Sequence, residues 1–307
     1  MSHITVFGSF VVDLMARAPH LPVPGETVKS SMFKLGPGGK GFNQGIAAKR
    51  AGADVTMVTK LGKDAFAEIA LSKLKEENMS TEYIFQTEEF PTGTALIMVD
   101  ENTSQNQIMV TLSACDTFND SDIEKVTPLI KKSGFLLTQL ETNVDAVEKI
   151  VSIAKENEVQ VILNPAPIQP IRDELFKNVD IITPNEVEAS ILTNVEIKTP
   201  EDALKAAEIL MNKGVANVVI TLGKMGVLAV TKDKHQLFHN YDVKVLDTTG
   251  AGDAFNGGFV TALSEGKNIF DACFFGNVVS NLAVTKLGTS VAMPSREEID
   301  EFIKENT

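Results

Sequence analysis

The sequence predicts an α/β fold: a central, mostly parallel β-sheet flanked by helices, with a small β-sheet beside it. Two observations carry this. From about residue 122 onward, apolar runs of strand length alternate with amphipathic stretches of helical period. That alternation builds a parallel sheet covered on both faces by crossover helices. Two earlier segments, near 11–35 and 87–113, carry short β-like runs and no helical period. Their shared character joins them as one lid sheet on a single domain spanning 1–307.

In chain order, Ile4 to Phe7 reads as a buried first strand running into Gly8-Ser9. Residues 26–35 read as an exposed, partly polar strand. The glycine cluster Gly36-Pro37-Gly38-Gly39-Lys40-Gly41 opens a helix from Asn43 to Ala51. Val55 to Thr59 is a strand, and Asp64 caps an amphipathic helix ending at Glu77. Three short β-like runs follow, at 83–86, 95–99 and 107–112. The regular part then has helices over 122–132, 144–157, 186–192 and 200–213, and strands over 135–138, 160–163, 181–183 and 218–221. Val243, Val245 and Leu246 read as the end of a further strand, and Phe255, Phe259 and Leu263 as the apolar face of a following helix.

Composition narrows the function. Hydrophobic content of 43% and charged content of 22% are ordinary for a globular enzyme. A formal net charge of −13 argues against nucleic acid as a partner, because that affinity rests on neutralising phosphates with Lys and Arg. Cys115 and Cys273 have no metal-ligand spacing and read as free thiols of a reducing compartment. With no leader-like N-terminus and no membrane-length apolar run, the expected location is cytoplasmic, with no membrane partner. The four histidines stand in no triad-like or metal-like context.

In open α/β sheets, ligands bind outside the carboxyl ends of the strands. By the strand assignment above, Gly8–Asp13, Gly38–Asn43, Gln139–Glu141, Asn164, Asn185–Glu188, Thr221–Gly226 and Asp247–Asp253 all fall there. The last is the most telling. Its Gly250-Ala251-Gly252 turn admits a ligand close to the backbone, and the unpaired N–H groups of a helix start attract an anion. Asp253 at its edge adds an acid–base group, and the pair points to phosphoryl transfer.

The other clusters are ambiguous singly. The Gly38–Asn43 run departs from a Walker loop, since Phe42 stands where Ser or Thr is required. It is either a tight turn or a backbone approach to a polar ligand such as a sugar. Asp13 and Glu141 are turn or cap residues, or acceptors for sugar hydroxyls. Asn185 and Glu188, three apart on one helix face, are a capping box or oxygen ligands for hydrated Mg²⁺. The glycines of Thr221–Gly226 make a β-turn or admit a nucleotide.

Together these residues resemble the ribokinase, or phosphofructokinase-B, family of sugar kinases, in its ribokinase/deoxyribokinase branch. The Gly38-Gly39-Lys40-Gly41-Phe42-Asn43-Gln44-Gly45 run and the highly specific Asp247–Phe255 run carry the match. Thr183-Pro184-Asn185-Glu186, Asn164-Pro165-Ala166-Pro167 and Pro24-Gly25-Glu26-Thr27 fit in the expected order, from about residue 4 to 303. The resemblance implies a ribokinase-like domain whose β-lid forms a homodimer contact, and ATP-dependent phosphorylation of a pentose's primary hydroxyl. It makes Asp253 the base, with Gly250, Ala251 and Gly252 offering N–H groups to the phosphoryl. Asp13, Val11, Gly38, Gly39, Lys40, Asn43, Ala95, Ile108, Glu141 and Asp253 would surround the sugar. Asn185, Thr221, Gly223, Gly226, Gly252 and Asn277 would line the nucleotide site, and Glu188 would act on Mg²⁺ through water. Asp247, Thr249, Gly288 and Ser290 match the loops that hold an activating K⁺.

Three positions depart from the family pattern. Val11 stands where ribokinases carry a sugar-binding Asn, as in deoxyribokinases, which makes 2-deoxyribose a candidate beside ribose. Phe42 replaces the usual Ala, and Ser113-Ala114-Cys115-Asp116 stands where a Gly-Ala-Asn run is usual. The alternatives are a kinase of fructose or a related ketose, a phosphosugar kinase, and a sugar- or nucleotide-binding regulator without turnover. A nicotinamide-dependent dehydrogenase lacks its Gly-x-Gly-x-x-Gly turn after the first strand.

Overall fold

The computed structural model describes residues 1–103 and 105–306; Ser104, within the expected lid segment, and Thr307 lie outside the described residues. Strand β1 (Ile4–Phe7) is wholly buried, and apolar except for Thr5. The chain then enters β2 (Val11–Ala18), which pairs antiparallel with β3 (Met32–Gly38). Helix α1 (Lys40–Arg50) follows directly and returns the chain to β4 (Val55–Gly62), parallel to β1. Next come α2 (Ala67–Glu76) and the edge strand β5 (Ile84–Thr87). Strands β6 (Gly93–Asp100) and β7 (Asn106–Thr111) pair antiparallel and complete the sheet begun by β2 and β3.

The regular half runs α3 (Asp120–Ile130), β8 (Phe135–Gln139), α4 (Val144–Glu156), β9 (Gln160–Asn164), α5 (Asp173–Lys177) and β10 (Ile181–Ile182). It continues through α6 (Glu186–Thr193), α7 (Pro200–Asn212) and β11 (Asn217–Thr221). Strands β12 (Val227–Val230) and β13 (His235–Phe238) turn back antiparallel, and α8 (Ala251–Ser264), α9 (Ile269–Ala283) and α10 (Arg296–Asn306) close the chain.

The result is a nine-stranded sheet in the order β13-β12-β11-β10-β9-β8-β1-β4-β5 and a separate four-stranded sheet in the order β3-β2-β6-β7. Side chains alternate across the large sheet as the pleat requires. Val219 enters the core shared with α1, α8 and α9, whereas its neighbours Val218 and Ile220 enter the core under α3, α4 and α7. Among the described residues, no helix is long and apolar enough to cross a membrane.

One close approach decides where the site lies. A Cβ on Gly41 would sit 2.7 Å from the Gly8 backbone, so only glycine lets the start of α1 dock on the β1–β2 turn. The Phe42 N–H donates to Ser9 O at 2.9 Å and secures that contact. The N-terminus of α1 is thereby held at the carboxyl end of the parallel strands.

Several local expectations are corrected. Val243–Leu246 is not a strand: among the described residues no strand pairs with it, and Val245 and Leu246 are more than half exposed. The exposed strand begins at Met32 rather than 26, and α1 begins at Lys40, three residues earlier than expected. Asp64 is not the N-cap of α2, which starts at Ala67 behind Phe66. Its carboxylate accepts the Ala67 N–H at 3.0 Å and the Thr92 N–H at 2.7 Å, so it ties that helix to the start of β6. The run at 83–86 belongs to the large sheet as β5. Asp13 is the third residue of β2, inside the small sheet rather than at the end of the first strand.

Candidate active site

The first turn of α8 supplies the central carboxylate. Gly250 takes a left-handed φ of 78° and acts as N-cap without a side-chain cap. Of the three amides expected to face an anion, that of Ala251 is already engaged, donating to Thr248 O at 3.2 Å. Among the described residues the N–H groups of Gly250, Gly252 and Asp253 have no partner. The approach is open, since a Cβ on Gly252 would meet nothing within 4 Å. A helix start with free donors and no steric cover is an anion site.

Asp253 is 7% exposed and is gripped by two amides from α1. Asn43 Nδ2 donates to its Oδ2 and Gln44 Nε2 to its Oδ1, each at 3.0 Å. Burial pushes its pKa upward, opposed by the Lys40 charge and those two donors. Asn43 Oδ1, on the same side chain, is buried and has no partner among the described residues. An orphaned acceptor beside a carboxylate is what a pair of ligand hydroxyls would satisfy, one donating to each.

Glu141 follows β8 and faces α1 from the other side. Its Oε2 accepts the Lys40 N–H at 2.8 Å and also the Ser9 hydroxyl. Burial raises its pKa, with Lys40 and Ser9 acting against the shift. Asp13 lies on β2 opposite Gly36 of β3 and Ala95 of β6. Room for its carboxylate exists because its neighbour Gly38 is glycine: a Cβ there would lie 2.2 Å from Asp13 Oδ1. Burial pushes Asp13 up to about 6; the Thr289 hydroxyl opposes this, and the charges of Glu141 and Asp253 add to it. Val11, buried, pairs with Gly38 and Gly93 at the same end of the small sheet.

Lys40 is the cation among these acids. Burial works against its ammonium, but Asp253, Glu141 and Glu188 outweigh that and hold its pKa above the ordinary value. Three carboxylates act on this one ammonium, with Asp13 beside two of them, and the excess of acids makes a field that a divalent cation would offset. Beyond Asp13 a cavity of about 270 Å³ separates the small sheet from loops 245–249 and 288–291. Ile108 lines it with Met15 and Ile97, whereas Asp253, Asn43 and Glu141 lie outside it. Asp13 is the residue common to the cavity and the acid cluster.

The remaining predicted residues form three groups. Asn185 and Glu188 make a complete capping box at the start of α6, with Asn185 Oδ1 accepting the Glu188 N–H at 2.8 Å and Glu188 Oε2 accepting the Asn185 N–H at 2.9 Å. Glu188 still senses Lys40 and Asp253, and burial raises its pKa. Thr221 bridges to Asn185. A Cβ on Gly223 would come within 3.3 Å of Glu186 Oε1, and one on Gly226 within 1.9 Å of Phe238 O, so backbone packing alone requires glycine at 226. Asn277 is buried on α9; its Nδ2 donates to His239 O at 2.9 Å and its Oδ1 accepts from Asn281 at 3.1 Å. Asp247 joins two loops, accepting the Thr249 N–H at 2.9 Å and the Gly288 N–H at 3.0 Å. Ser290, nearby and fully buried, donates to Pro37 O at 3.2 Å. A carboxylate between loops rich in hydroxyls and carbonyls suits a weakly hydrated monovalent cation.

Side chains not assigned a role from sequence complete the site. Gln44 touches Asp253, Ser9 touches Glu141, and Thr289 Oγ1 reaches Asp13 Oδ2 at 3.4 Å. Gln44 stands next to Asn43 in the glycine-rich run, but nothing local shows that α1 buries both amides against α8. Cys115 is buried between Phe10 and Lys60, with its thiol pKa pushed up by that burial, and takes no part.

The description pfkB family carbohydrate kinase matches residues 1–296. A ribokinase of Haemophilus influenzae is 40% identical over 301 residues, covering 98% of both chains. A deoxyribokinase of Salmonella typhi is 33% identical over 304 residues, covering 99% of both. The structure of an Arabidopsis thaliana ribokinase complexed with ribose and ATP superposes with a TM-score of 0.90 at 28% identity, covering 99% of both chains.

Proposed function

The chain belongs to the pfkB family of carbohydrate kinases and is a sugar phosphotransferase, and from that premise we propose that it moves the γ-phosphoryl group of ATP onto the primary hydroxyl of ribose or 2-deoxyribose. The observation that carries this reading is Asp253: an acceptor at a helix start, beside free amides and next to the orphaned Asn43 Oδ1. Asp253 takes the hydroxyl proton as the sugar oxygen bonds to the γ-phosphorus and the bond to the ADP oxygen breaks. The Gly250, Gly252 and Asp253 amides accept the charge on the transferring group, and Lys40 adds a positive field. Asp13, Asn43 and Glu141 hold the sugar hydroxyls, while Ala95 and Ile108 cover it from the lid formed by about 11–35 and 87–113.

Mg²⁺ fits near Glu188, whose carboxylate faces the charges of Asp253 and Glu186 and would be held ionised by a cation bound there. Bound with the nucleotide, it would neutralise phosphate charge. K⁺ fits at Asp247, Thr249, Gly288 and Ser290, where it would steady the loop leading into α8. The nucleotide would extend past Asn185, Thr221 and Gly223 toward Asn277. ADP release should depend on added ribose or 2-deoxyribose and fall when Na⁺ replaces K⁺. No sugar-dependent ADP release with any pentose would sink the reading.

Val11 sets the sugar. A valine offers nothing to a 2-hydroxyl, and an apolar contact rejects an added hydroxyl only weakly. Ribose and 2-deoxyribose should therefore differ little in kcat/KM, and Val11→Asn should shift the ratio toward ribose by about tenfold or more. A wild-type ratio already favouring ribose a hundredfold would remove this role.

The outer face of the small sheet supports a homodimer. Rows Leu35–Leu14–Leu96–Met109 and Phe33–Ala16–Met98 follow from the strand register, and Phe33 and Met109 are about two-thirds exposed. An apolar sheet face of this kind is covered most simply by its own copy. Leu96→Glu should convert a dimer into monomer in sedimentation velocity; a wild-type monomer at micromolar concentration would refute the contact.

A further inference from the structure

Gln44 does more than contact Asp253: it ends a chain of amides that starts at the carboxyl ends of three neighbouring strands. Thr183, just after β10, offers a backbone carbonyl, which can only accept, and Asn164 Nδ2 at the end of β9 donates to it at 2.8 Å. That leaves Asn164 Oδ1 facing Gln44, and Gln44 Nε2 donates to it at 3.1 Å. The second hydrogen of the same Nε2 goes to Asp253 Oδ1 at 3.0 Å. Gln44 Oε1 then accepts from Gln139 Nε2, at the end of β8, at 2.6 Å.

Every polar function of the Gln44 amide is used, and its direction is over-determined. A carboxylate and a peptide carbonyl have no proton to donate, so the amides between them have one consistent orientation. Gln44 and Gln139 are fully buried: reversing Gln44 would set its oxygen against the oxygens of Asn164 and Asp253 and its NH₂ against that of Gln139, and reversing Gln139 would set two amide oxygens face to face. The Gln44 side chain is buried and remote in sequence from the carboxylate that it contacts.

We propose that Gln44 is a positioning residue for the base: the Gln139–Gln44–Asn164 amide chain fixes its NH₂ on Asp253, which holds that carboxylate in the orientation that receives the sugar proton. Lys40, Glu141, Glu188 and Asp13 are the charged groups that act on Asp253 or are acted on by it. None of them replaces the directional contact to Oδ1. The inference rests on Asp253 being the base.

The test compares Gln44→Met, Gln139→Met and Asp253→Ala, in steady-state kinetics with ribose and 2-deoxyribose across pH. Gln44→Met keeps the volume and removes the donor. Loss of a hydrogen bond to a charged group should cost about 10–100-fold in kcat, while KM for the sugar stays within about threefold. The acid limb of its kcat profile should move to higher pH, because a carboxylate without that donor protonates more readily. Gln139→Met leaves both contacts to Asp253 and removes only the orienting donor, so its kcat should fall by less, about threefold to tenfold. Wild-type kcat and an unmoved acid limb in Gln44→Met would overturn the proposal. So would a loss expressed wholly in KM. If Gln44→Met does not fold, Gln139→Met decides: an unchanged kcat and pH profile would overturn it. Full activity in Asp253→Ala would instead remove the base assignment.

Discussion

Asp253→Asn is expected to lower kcat by about a thousandfold while the protein remains folded, because a general base typically supplies 10²–10⁴ in rate. The substitution preserves shape and removes the proposed proton acceptor. It also turns one of the two contacts from Asn43 and Gln44 into donor against donor, since both present NH₂ groups to the carboxylate. Stability should change little. The lost contact is offset by removal of a buried charge whose pKa burial raises. Rapid-quench measurement of phosphoryl transfer, alongside thermal unfolding, checks both parts. A folded Asp253→Asn enzyme with wild-type turnover would eliminate proton acceptance by this residue.

Asp13→Asn is expected to act in opposite directions on function and stability. A carboxylate accepts two sugar hydroxyls and an amide oxygen accepts with less charge, so kcat/KM should fall by about a hundredfold. The wild-type acid limb of kcat/KM should fall off near pH 6, where Asp13 takes up its proton in the free enzyme. That limb should be absent in the variant. For stability, the folded pKa of about 6 lies above the unfolded value of 3.8, so the folded state binds the proton more tightly. Stability is therefore lost as pH rises between those two values, and the whole loss is present above the higher one. Partial solvent contact reduces the effect to roughly 1–2 kcal/mol. Asp13→Asn should accordingly melt a few degrees higher than wild type at pH 8, and the advantage should vanish near pH 4. An equal or lower melting temperature at pH 8 would contradict the burial of charge at this position.

Parts of the site were legible because their chemistry is local. The Gly250-Ala251-Gly252-Asp253 turn carries helix-start amides and a carboxylate together, and both follow from the residue types and the helix start. Asn185 and Glu188 belong to one helical turn, so their capping box could be read from spacing. The engaged amide of Ala251 was not visible, because the choice of Thr248 O depends on how tightly the turn closes. Val243–Leu246 carries β-branched and apolar residues yet forms no strand, since strand formation needs a partner edge and propensity does not supply one. Strands β12 and β13 are short enough that their antiparallel return left little periodic signal.

By itself the sequence determined the α/β class, the helix-free segments that become the small sheet, and the reaction type, because each rests on periodicity or on residues within one turn. Tertiary structure decided which groups meet. Gln44 and Asp253 are 209 positions apart, and only the packing of α1 on α8, where a Cβ on Gly257 would sit 2.8 Å from Gln44 O, brings an amide to that carboxylate. Asp13 acquires its raised pKa from burial and from the charges of Glu141 and Asp253, against the opposing Thr289 hydroxyl, none of them near it in the chain. Long-range hydrogen bonds and desolvation depend on distance in space, and no local pattern of residues encodes that distance.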